Sequence, residues 1–371
     1  MIESIAALLG PHDPALLDAA MLRRERLHLR TGQAEPFARL LPWALFDTLP
    51  SAEGLNDAGL RILQNGRDVL YDMLVLPSLS RRRRRLSPEN LQSLAHQGVS
   101  MVVNRVQQRV PAIAALNAML ERRYRCISWT NCYASFRRDG AFPPHRDAHD
   151  VLVLQLQGEK RWLFHGPGAG EGAELFPDPA GLPPPAAEFA LQPGDLLFVP
   201  RGDVHRAEVI GEDSLHLSIG LLHARGSDVL RWLADLADAQ AAGGEDVLPL
   251  EAGPEREERK ARLQAMIGAL ADGLDLDAFF AARDAAREPM RPINLGLSGR
   301  VTDGTLVLPS LRHTTPPEGL TPIEGAVMAH LLPHDGVRVA ALAAALPGHD
   351  PAAVRDAVAS LARKALVFLG D

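Results

Sequence analysis

Apolar and polar positions alternate with two different periods along this chain, and the change of period marks its organisation. Leu16 to Arg24 has helical spacing, and Leu27-His28-Leu29-Arg30 reads as a short strand. Leu60 to Val69 reads as a strand pair turning near Asn65-Gly66, a dipeptide suited to tight hairpin turns. Ser87-Pro88-Glu89-Asn90 is a helix-start signal leading into Leu91 to His96. Pro111 to Tyr124 places Ile113, Leu116, Met119 and Leu120 on one side of a helix.

From Cys126 to His223 the pattern is that of strands. Ile127 to Phe136 is extended. Asp150 to Gln157, then Gly158-Glu159, then Lys160 to His165 predicts a hairpin with a tight turn. Pro167 to Pro185 is rich in Gly, Pro and Ala and is expected to be a long loop. Leu196 to Pro200, Val204 to Ile210 and Leu215 to Leu222 are further strands separated by turn residues. Many short strands with polar turns indicate a closed or sandwiched β fold, best a jelly roll.

Beyond the strands the helical period returns. Leu230 to Gln240 and Glu255 to Arg287 are predicted helices separated by a break at 241–245. Leu263, Met266, Ile267 and Leu270 form an apolar stripe on the second. In the tail, Thr321 opens a helix through Leu332, Val339 to Leu346 is another, and Asp350-Pro351 opens a third through Lys364. Ala365 to Phe368 closes as a strand. Three short helices and a terminal strand suggest a small winged-helix-like domain.

At 371 residues and 46% hydrophobic content the chain can bury a sizeable core in two or three domains. A net charge of -7 argues against a protein devoted to gripping nucleic acid or an anionic membrane. No apolar run reaches the ~20 residues of a membrane span, and the first residues lack a basic secretory leader. Cys126 and Cys132 lie close together on one extended stretch, so a disulfide framework is not expected and a reducing cytoplasm fits best. Arg81 to Arg85 is an unbroken basic run: a solvated face, or a docking patch for an acidic or RNA-bearing partner.

The candidate chemistry begins at His145-Arg146-Asp147. On an extended strand, residues i and i+2 share a face, so His145 and Asp147 can grip one metal while Arg146 points away. His205 follows a Pro-Gly turn, an apolar strand and a second turn, which puts it at the mouth of a β-barrel. Two imidazoles and one carboxylate are the facial set that suits Fe(II) and leaves coordination positions open. His149 and Asp150 offer a rival pair, but adjacent residues face opposite ways. His216 and Ser218 share a face and either line the same pocket or form an ordinary satisfied pair. Lysine occurs only at Lys160, Lys260 and Lys364 in a chain dominated by arginine. A compact ammonium at Lys160 suits one end of a dicarboxylate. Asn131 and Tyr133, again at i and i+2, can donate hydrogen bonds to the same anion.

These residues resemble the JmjC oxygenases, within them the ribosomal-oxygenase branch of cupin-like protein hydroxylases. The resemblance rests on Asn131-Cys132-Tyr133, on the run from Gly140 through His145-Arg146-Asp147 to Val151, and on Leu154 to Trp162. Pro193-Gly194-Asp195, Val199 to Gly202, His205 and Ser214 to Ser218 continue it. It implies an α+β fold with a double-stranded β-helix (jelly-roll, cupin) core and N-terminal α/β elements. The expected division is an oxygenase domain at 1–225, with the jelly roll mainly at 126–223, a helical dimerisation segment at 226–300 and a winged-helix-like domain at 301–371.

The resemblance also implies that His145, Asp147 and His205 bind Fe(II), and that Lys160, with Tyr133, Asn131 and Ser218, holds 2-oxoglutarate. Oxidative decarboxylation with O2 would then drive hydroxylation of an unactivated C–H bond. Arg146 stands where the branch often carries an aromatic, Ala134-Ser135-Phe136 replaces a Thr-Pro-containing stretch, and Met21 stands where a tryptophan is common. These departures fall on the peptide-binding surface rather than on the metal and co-substrate set.

The leading expectation is a 2-oxoglutarate- and Fe(II)-dependent protein hydroxylase acting on an arginine or histidine side chain of a ribosomal protein. The alternatives are the same chemistry on a small peptide or natural-product precursor, lysine demethylation, and a ligand-sensing DNA-binding regulator. For the last, Arg338, Arg355, Arg363 and Lys364 are outweighed by acidic neighbours, which argues against direct nucleic-acid binding. A homodimer through the apolar stripe on Glu255 to Arg287 is expected.

Overall fold

In a computed structural model, residues 2–50, 59–64, 67–69, 87–136, 142–168, 172–176, 181–240, 243–249, 253–286, 294–297, 299–310 and 315–370 are described. The Arg81 to Arg85 run, Asn65-Gly66 and Gly140-Ala141 lie outside them. Two compact units are present, one of residues 1–222 with 290–371, the other of residues 223–289.

The first unit opens with α1 (Ile5–Leu9), α2 (Ala15–Arg23), β1 (Leu27–Arg30), α3 (Ala34–Leu40) and α4 (Trp43–Phe46). The predicted strand pair follows as β2 (Leu60–Gln64) and β3 (Arg67–Asp68), then α5 (Pro88–Gln97), β4 (Ser100–Val103), α6 (Pro111–Tyr124) and β5 (Ile127–Phe136). Ser87 caps α5 by accepting from Asn90 N, as its sequence signals. The site region comprises β6 (His145–Arg146), β7 (Asp150–Pro167), β8 (Glu174–Leu175), β9 (Ala187–Leu191), β10 (Asp195–Val199) and β11 (Asp203–Leu222).

Two expectations are corrected here. Gly158-Glu159 is not a hairpin turn: β7 runs through it, and Val204 to Ile210 with Leu215 to Leu222 are likewise halves of one strand, β11. The two long strands pair antiparallel over both halves, with a register shift between Ile210 and Leu215. Gly158 has φ +64° and Gly211 φ +93°, so the ribbon is bulged on both strands at one level. A Cβ on Gly158 would stand 1.9 Å from the Asp213 carbonyl oxygen. Second, the span from Pro167 to Pro185 is not all loop, because β8 within it pairs with β6.

The bulged ribbon belongs to two layers. Its outer half, Val151 to Leu154 with Ser218 to Leu221, lies between β10 and β5, and the order continues β1-β10-β7-β11-β5-β4-β2-β3. Its other half pairs with β9 on one side and β6 on the other. Val151 and Val153 pack with Trp162, Phe164, Leu197 and Val199 in one cluster. Leu152, Leu154, Leu215 and Leu217 join the N-terminal helices and α6 in a larger one. Both faces of this sheet are thus covered, which explains why Val151 to Leu154 reads as an unbroken apolar run. Asn117 of α6 ties the helix to β5 through Ser128 and Thr130, each at 2.7 Å.

The second unit holds α7 (Gly226–Asp238), α8 (Gly253–Asp272) and α9 (Leu276–Ala286). The helix expected from Glu255 to Arg287 is therefore two, interrupted at Gly273-Leu274-Asp275, where the Asp275 carboxylate accepts from Asp277 N and starts α9. Leu263, Met266 and Leu270 are half-buried, while Ile267 is exposed.

The tail contains β12 (Leu306–Pro309), α10 (Pro322–Leu331), β13 (Val337–Arg338), α11 (Val339–Ala345), α12 (Pro351–Arg363) and β14 (Val367–Gly370), with a three-stranded sheet in the order β13-β12-β14. It docks on the N-terminal region and α6: Asp335 accepts from Ile5 N at 2.9 Å, Glu3 pairs with Arg338 at 2.6 Å, and Arg122 donates to the carbonyls of Ser310 and Leu332.

Two outcomes follow. Gly158→Ala is expected to cost roughly 3 kcal/mol or more, since a forbidden φ and a backbone clash coincide. Gly211→Ala, with open space around its Cβ position, should cost about 1 kcal/mol; equal urea midpoint losses would contradict the bend. Buried Glu324 is paired with Lys364, Ser360 and Thr321, which lowers its pKa to about 2. A lowered carboxylate stabilises the fold above its ordinary value of 4.5 and stops doing so as the pH falls toward 2. Glu324→Gln should flatten the stability–pH curve in that window and destabilise at pH 7, as read by urea titration.

Candidate metal centre and its cavity

The short strand β6 presents His145, and Asp147 follows directly after it, its backbone carbonyl accepting from Gly202 N at 3.0 Å. Across the sheet, His205 of β11 is the register partner of His145. The imidazole centroids are 4.4 Å apart, and His205 Nε2 lies 3.7 Å from Asp147 Oδ2. One ligand atom from each of the three lies within 4.8 Å of the others, and no further group of this kind occurs among the described residues.

The tautomers follow from the backbone. His145 Nδ1 is 3.0 Å from the Pro143 carbonyl, and His205 Nδ1 is 2.9 Å from the Asp203 carbonyl. A carbonyl oxygen only accepts, so each Nδ1 carries the proton and each Nε2 keeps its lone pair free for a metal. Burial, with His145 nearby, lowers the His205 pKa to about 4, so the ring is neutral at pH 7. Two imidazoles and a carboxylate, aimed together and with both rings oriented by backbone carbonyls, fit a divalent metal.

Arg146 turns away, as alternation predicts, and its guanidinium pairs with Glu174 of β8 at 2.5 Å. This ion pair occupies the place where the resembling family often carries an aromatic.

A cavity of about 100 Å³ opens beside the triad, several times the space one water requires. His145, Asp147, His205, Lys160, Tyr133, Asn131 and Ser218 all line it. The pleat explains the second group. Asn131 and Tyr133 share a face of β5, while Ser218 and His216 are their register partners on β11. Lys160 comes from β7 beyond the bulge and is 1% exposed. Its ammonium donates to Ser135 Oγ at 2.9 Å, and Ser100 donates to the same oxygen at 2.8 Å. Burial, and next the Asp147 charge, push the Tyr133 phenol up, so it remains a protonated donor.

Two polar residues of this cavity, and a serine behind its lysine, escaped the sequence reading or were left open by it. His149 lines it, packed on Trp129 at 4.6 Å, whereas its neighbour Asp150 caps Arg201 N. His216 lines it, stacked on Tyr133 at 4.8 Å. Ser135 holds Lys160; its position at i+4 from Asn131 on one strand face was the available signal.

Residues 103–229 match the JmjC domain. The NO66 bifunctional lysine-specific demethylase and histidyl-hydroxylase of Aedes aegypti is 30% identical over 167 residues, covering 43% of this chain and 26% of that protein. Ribosomal oxygenase 2 of Rattus norvegicus is 36% identical over 103 residues, 27% of this chain and 22% of that one. The chain thus spans about a quarter of the length of these curated relatives. Over nearly its whole length the fold matches the ribosomal oxygenase YcfD of Escherichia coli, with TM-score 0.56, 16% identity and coverage of 98% and 99% of the two chains. YcfD has also been solved with cobalt and 2-oxoglutarate. The large antiparallel sheet with its helices therefore has the fold of that oxygenase. Residues 103–229 are thus similar to the JmjC domain, and the sequence relatives include ribosomal oxygenases and NO66 proteins.

Proposed function

We propose that the protein is a 2-oxoglutarate- and Fe(II)-dependent hydroxylase of an arginine or histidine side chain in a ribosomal protein. One observation carries the reading: a His–Asp–His set with both rings oriented by backbone carbonyls and a fully buried lysine share a single cavity. The names of the relatives and the cobalt and 2-oxoglutarate bound by YcfD support it.

His145, Asp147 and His205 would hold the metal, leaving positions open for co-substrate and oxygen. When bound, Fe(II) supplies the oxidation: 2-oxoglutarate and O2 give succinate and CO2, and the second oxygen atom enters the substrate C–H bond. The chain's own groups do the rest. Lys160 offers one carboxylate a point charge in a dry site where it is weakly screened. Tyr133 and Asn131 donate from β5, and Ser218 from β11. The Pro143 and Asp203 carbonyls fix the ligand rings so that no reorientation is needed as the metal binds.

The tail reads as winged-helix-like, and a role in protein contact suits it better than DNA binding. Three of its basic groups are engaged within the chain: Arg338 with Glu3, Arg355 with Asp303, Lys364 with Glu324. The helical segment reads as a dimerisation element, since Leu230, Ile267 and Leu276 of α7, α8 and α9 are more than half exposed.

With Fe(II) and 2-oxoglutarate, a ribosome fraction should stimulate succinate release and acquire a mass increase of one oxygen on a ribosomal protein. His145→Ala should reduce turnover to below about one hundredth. Unmodified ribosomes, or full turnover in that variant, would sink the reading. Lys160→Met is expected to raise the KM for 2-oxoglutarate about a hundredfold, the loss of a strong charge-assisted contact, with Fe(II) affinity in the absence of 2-oxoglutarate unchanged.

A further inference from the structure

One end of the cavity is still without a role. Trp129, His149 and Gly220 line it, and none of them belongs to the metal set or to the co-substrate set around Lys160. The direction of the cavity can be read along β5, where Ile127, Trp129, Asn131, Tyr133 and Ser135 succeed one another on one face. Ile127 is 40% exposed, Trp129, Asn131 and Tyr133 are half-buried, and Ser135 is fully buried where it meets the Lys160 ammonium. The face thus runs from a mouth at Ile127 and Trp129 to a floor at Ser135.

Lengths separate the two ends. Six residues of β5 lie between Trp129 and Ser135 counted step by step, about 20 Å along a strand. A five-carbon diacid has roughly 5 Å between its end carbons. A 2-oxoglutarate held at Lys160 therefore stops well short of Trp129, and the mouth is left for the other substrate.

The mouth is shaped around one indole. Gly220 is the register partner of Trp129 on β11 and of Val151 on β7. A Cβ there would stand 2.5 Å and 2.6 Å from two carbons of the Trp129 indole and 2.9 Å from the His149 ring. Gly220 has no positive φ, so what its missing side chain supplies is room for those rings. His149 packs on the indole at 4.6 Å and 60°, an arrangement that steadies it. Both rings are only half-buried and keep surface on the cavity.

An indole face is the best aromatic partner for a cation, and a guanidinium, planar and weakly hydrated, stacks on it readily. Among the described residues lining the cavity, Lys160 is the one lysine or arginine, and it lies at the floor. Reach then separates the two candidate side chains. Asp147, at the metal end, is two residues from His149, at most about 7 Å between Cα atoms. An arginine carries its guanidinium carbon about 5 Å from its own Cβ, and a histidine its ring centre about half as far. An arginine can lay its head on Trp129 while its stem stays over the metal end. A histidine ring on the same shelf draws its carbon skeleton away from it.

Resting on the proposed function, we infer that Trp129, seated on Gly220 and steadied by His149, is the shelf that selects the side chain to be oxidised, and that it selects the guanidinium of an arginine over the imidazole of a histidine.

The test uses the full chain with Fe(II), 2-oxoglutarate and a ribosome fraction, and locates the added oxygen by peptide mass spectrometry. The oxygen should fall on an arginine. Trp129→Leu should lower the rate of that modification about tenfold, the loss of one partly desolvated cation–π contact. Trp129→Phe, which restores a ring face, should recover most of it. A merely structural role is separated by calorimetry on the Zn(II)-loaded proteins, where 2-oxoglutarate affinity should stay within about twofold of wild type in both variants. An oxygen on a histidine, a wild-type rate in Trp129→Leu, or 2-oxoglutarate affinity lost together with the rate overturns this inference while leaving the proposed function standing. Ribosomal proteins that acquire no oxygen from the wild-type protein overturn both.

Discussion

One antiparallel ribbon, bulged where Gly158 and Gly211 take positive φ, carries both the His205 end and the Lys160 end of the site, and the rest of the molecule depends on that bulge. Before it, odd-numbered residues of β7 face inward, as Val151 and Val153 do; after it, Lys160, Trp162 and Phe164 do. β11 shifts the same way, from His205 and Ala207 to His216, Ser218 and Gly220. An inserted residue in each strand keeps the inward face inward while the ribbon passes between layers. The metal end and the anion end are thus a fixed number of strand residues apart. No loop has to close to bring His205 and Lys160 to the same cavity.

That rigidity makes a buried lysine tolerable. A lone ammonium in an apolar interior would shed its proton rather than accept the desolvation cost. Lys160 instead donates to Ser135, itself anchored by Ser100 across the β4–β5 register. Ser135 is an uncharged hydroxyl, so this contact orients the ammonium without offsetting its charge. Arginine would bring a planar fork with five donors to satisfy, and this wall offers hydroxyls one at a time. The survival of lysine in an arginine-dominated chain has its physical reason here.

Much of this was legible in sequence because it depends on local rules. β5 and α6 stand where alternation and the Pro111 start put them, and the tail helices begin at Thr321 and Asp350 because those side chains cap them. The His145/Asp147 pairing is a statement about the pleat alone. What was not legible depends on partners distant in sequence. A glycine at positive φ followed by a polar residue is the signature of a hairpin turn and equally of a bulge. Only the parallel irregularity in β11, more than fifty residues away, decides for the bulge. Ser135 was hidden for a related reason: its partners, Ser100 and Lys160, come from two other strands. The break at Gly273 was the exception, a local signal overridden by a strong helical period on either side.

The candidate metal ligands show how far the N-terminal elements are part of the site rather than a cover. Each histidine donates Nδ1–H to the carbonyl two residues before it, Pro143 for His145 and Asp203 for His205. The backbone of each ligand's own segment therefore sets the ring, whatever side chains surround it. In the second case that backbone is tied down from outside the ribbon. Arg26, immediately before β1, pairs with the Asp203 carboxylate at 2.7 Å and lies over the Phe164 ring at 5.0 Å. Burial raises the Asp203 pKa and the Arg26 charge opposes the rise. β1 in turn is fixed by four register pairs with β10. A path of contacts thus runs from the first strand of the chain, through one ion pair, to the carbonyl that orients the His205 ring. Loosening Arg26 should be felt first as slack in His205, before any loss of the core.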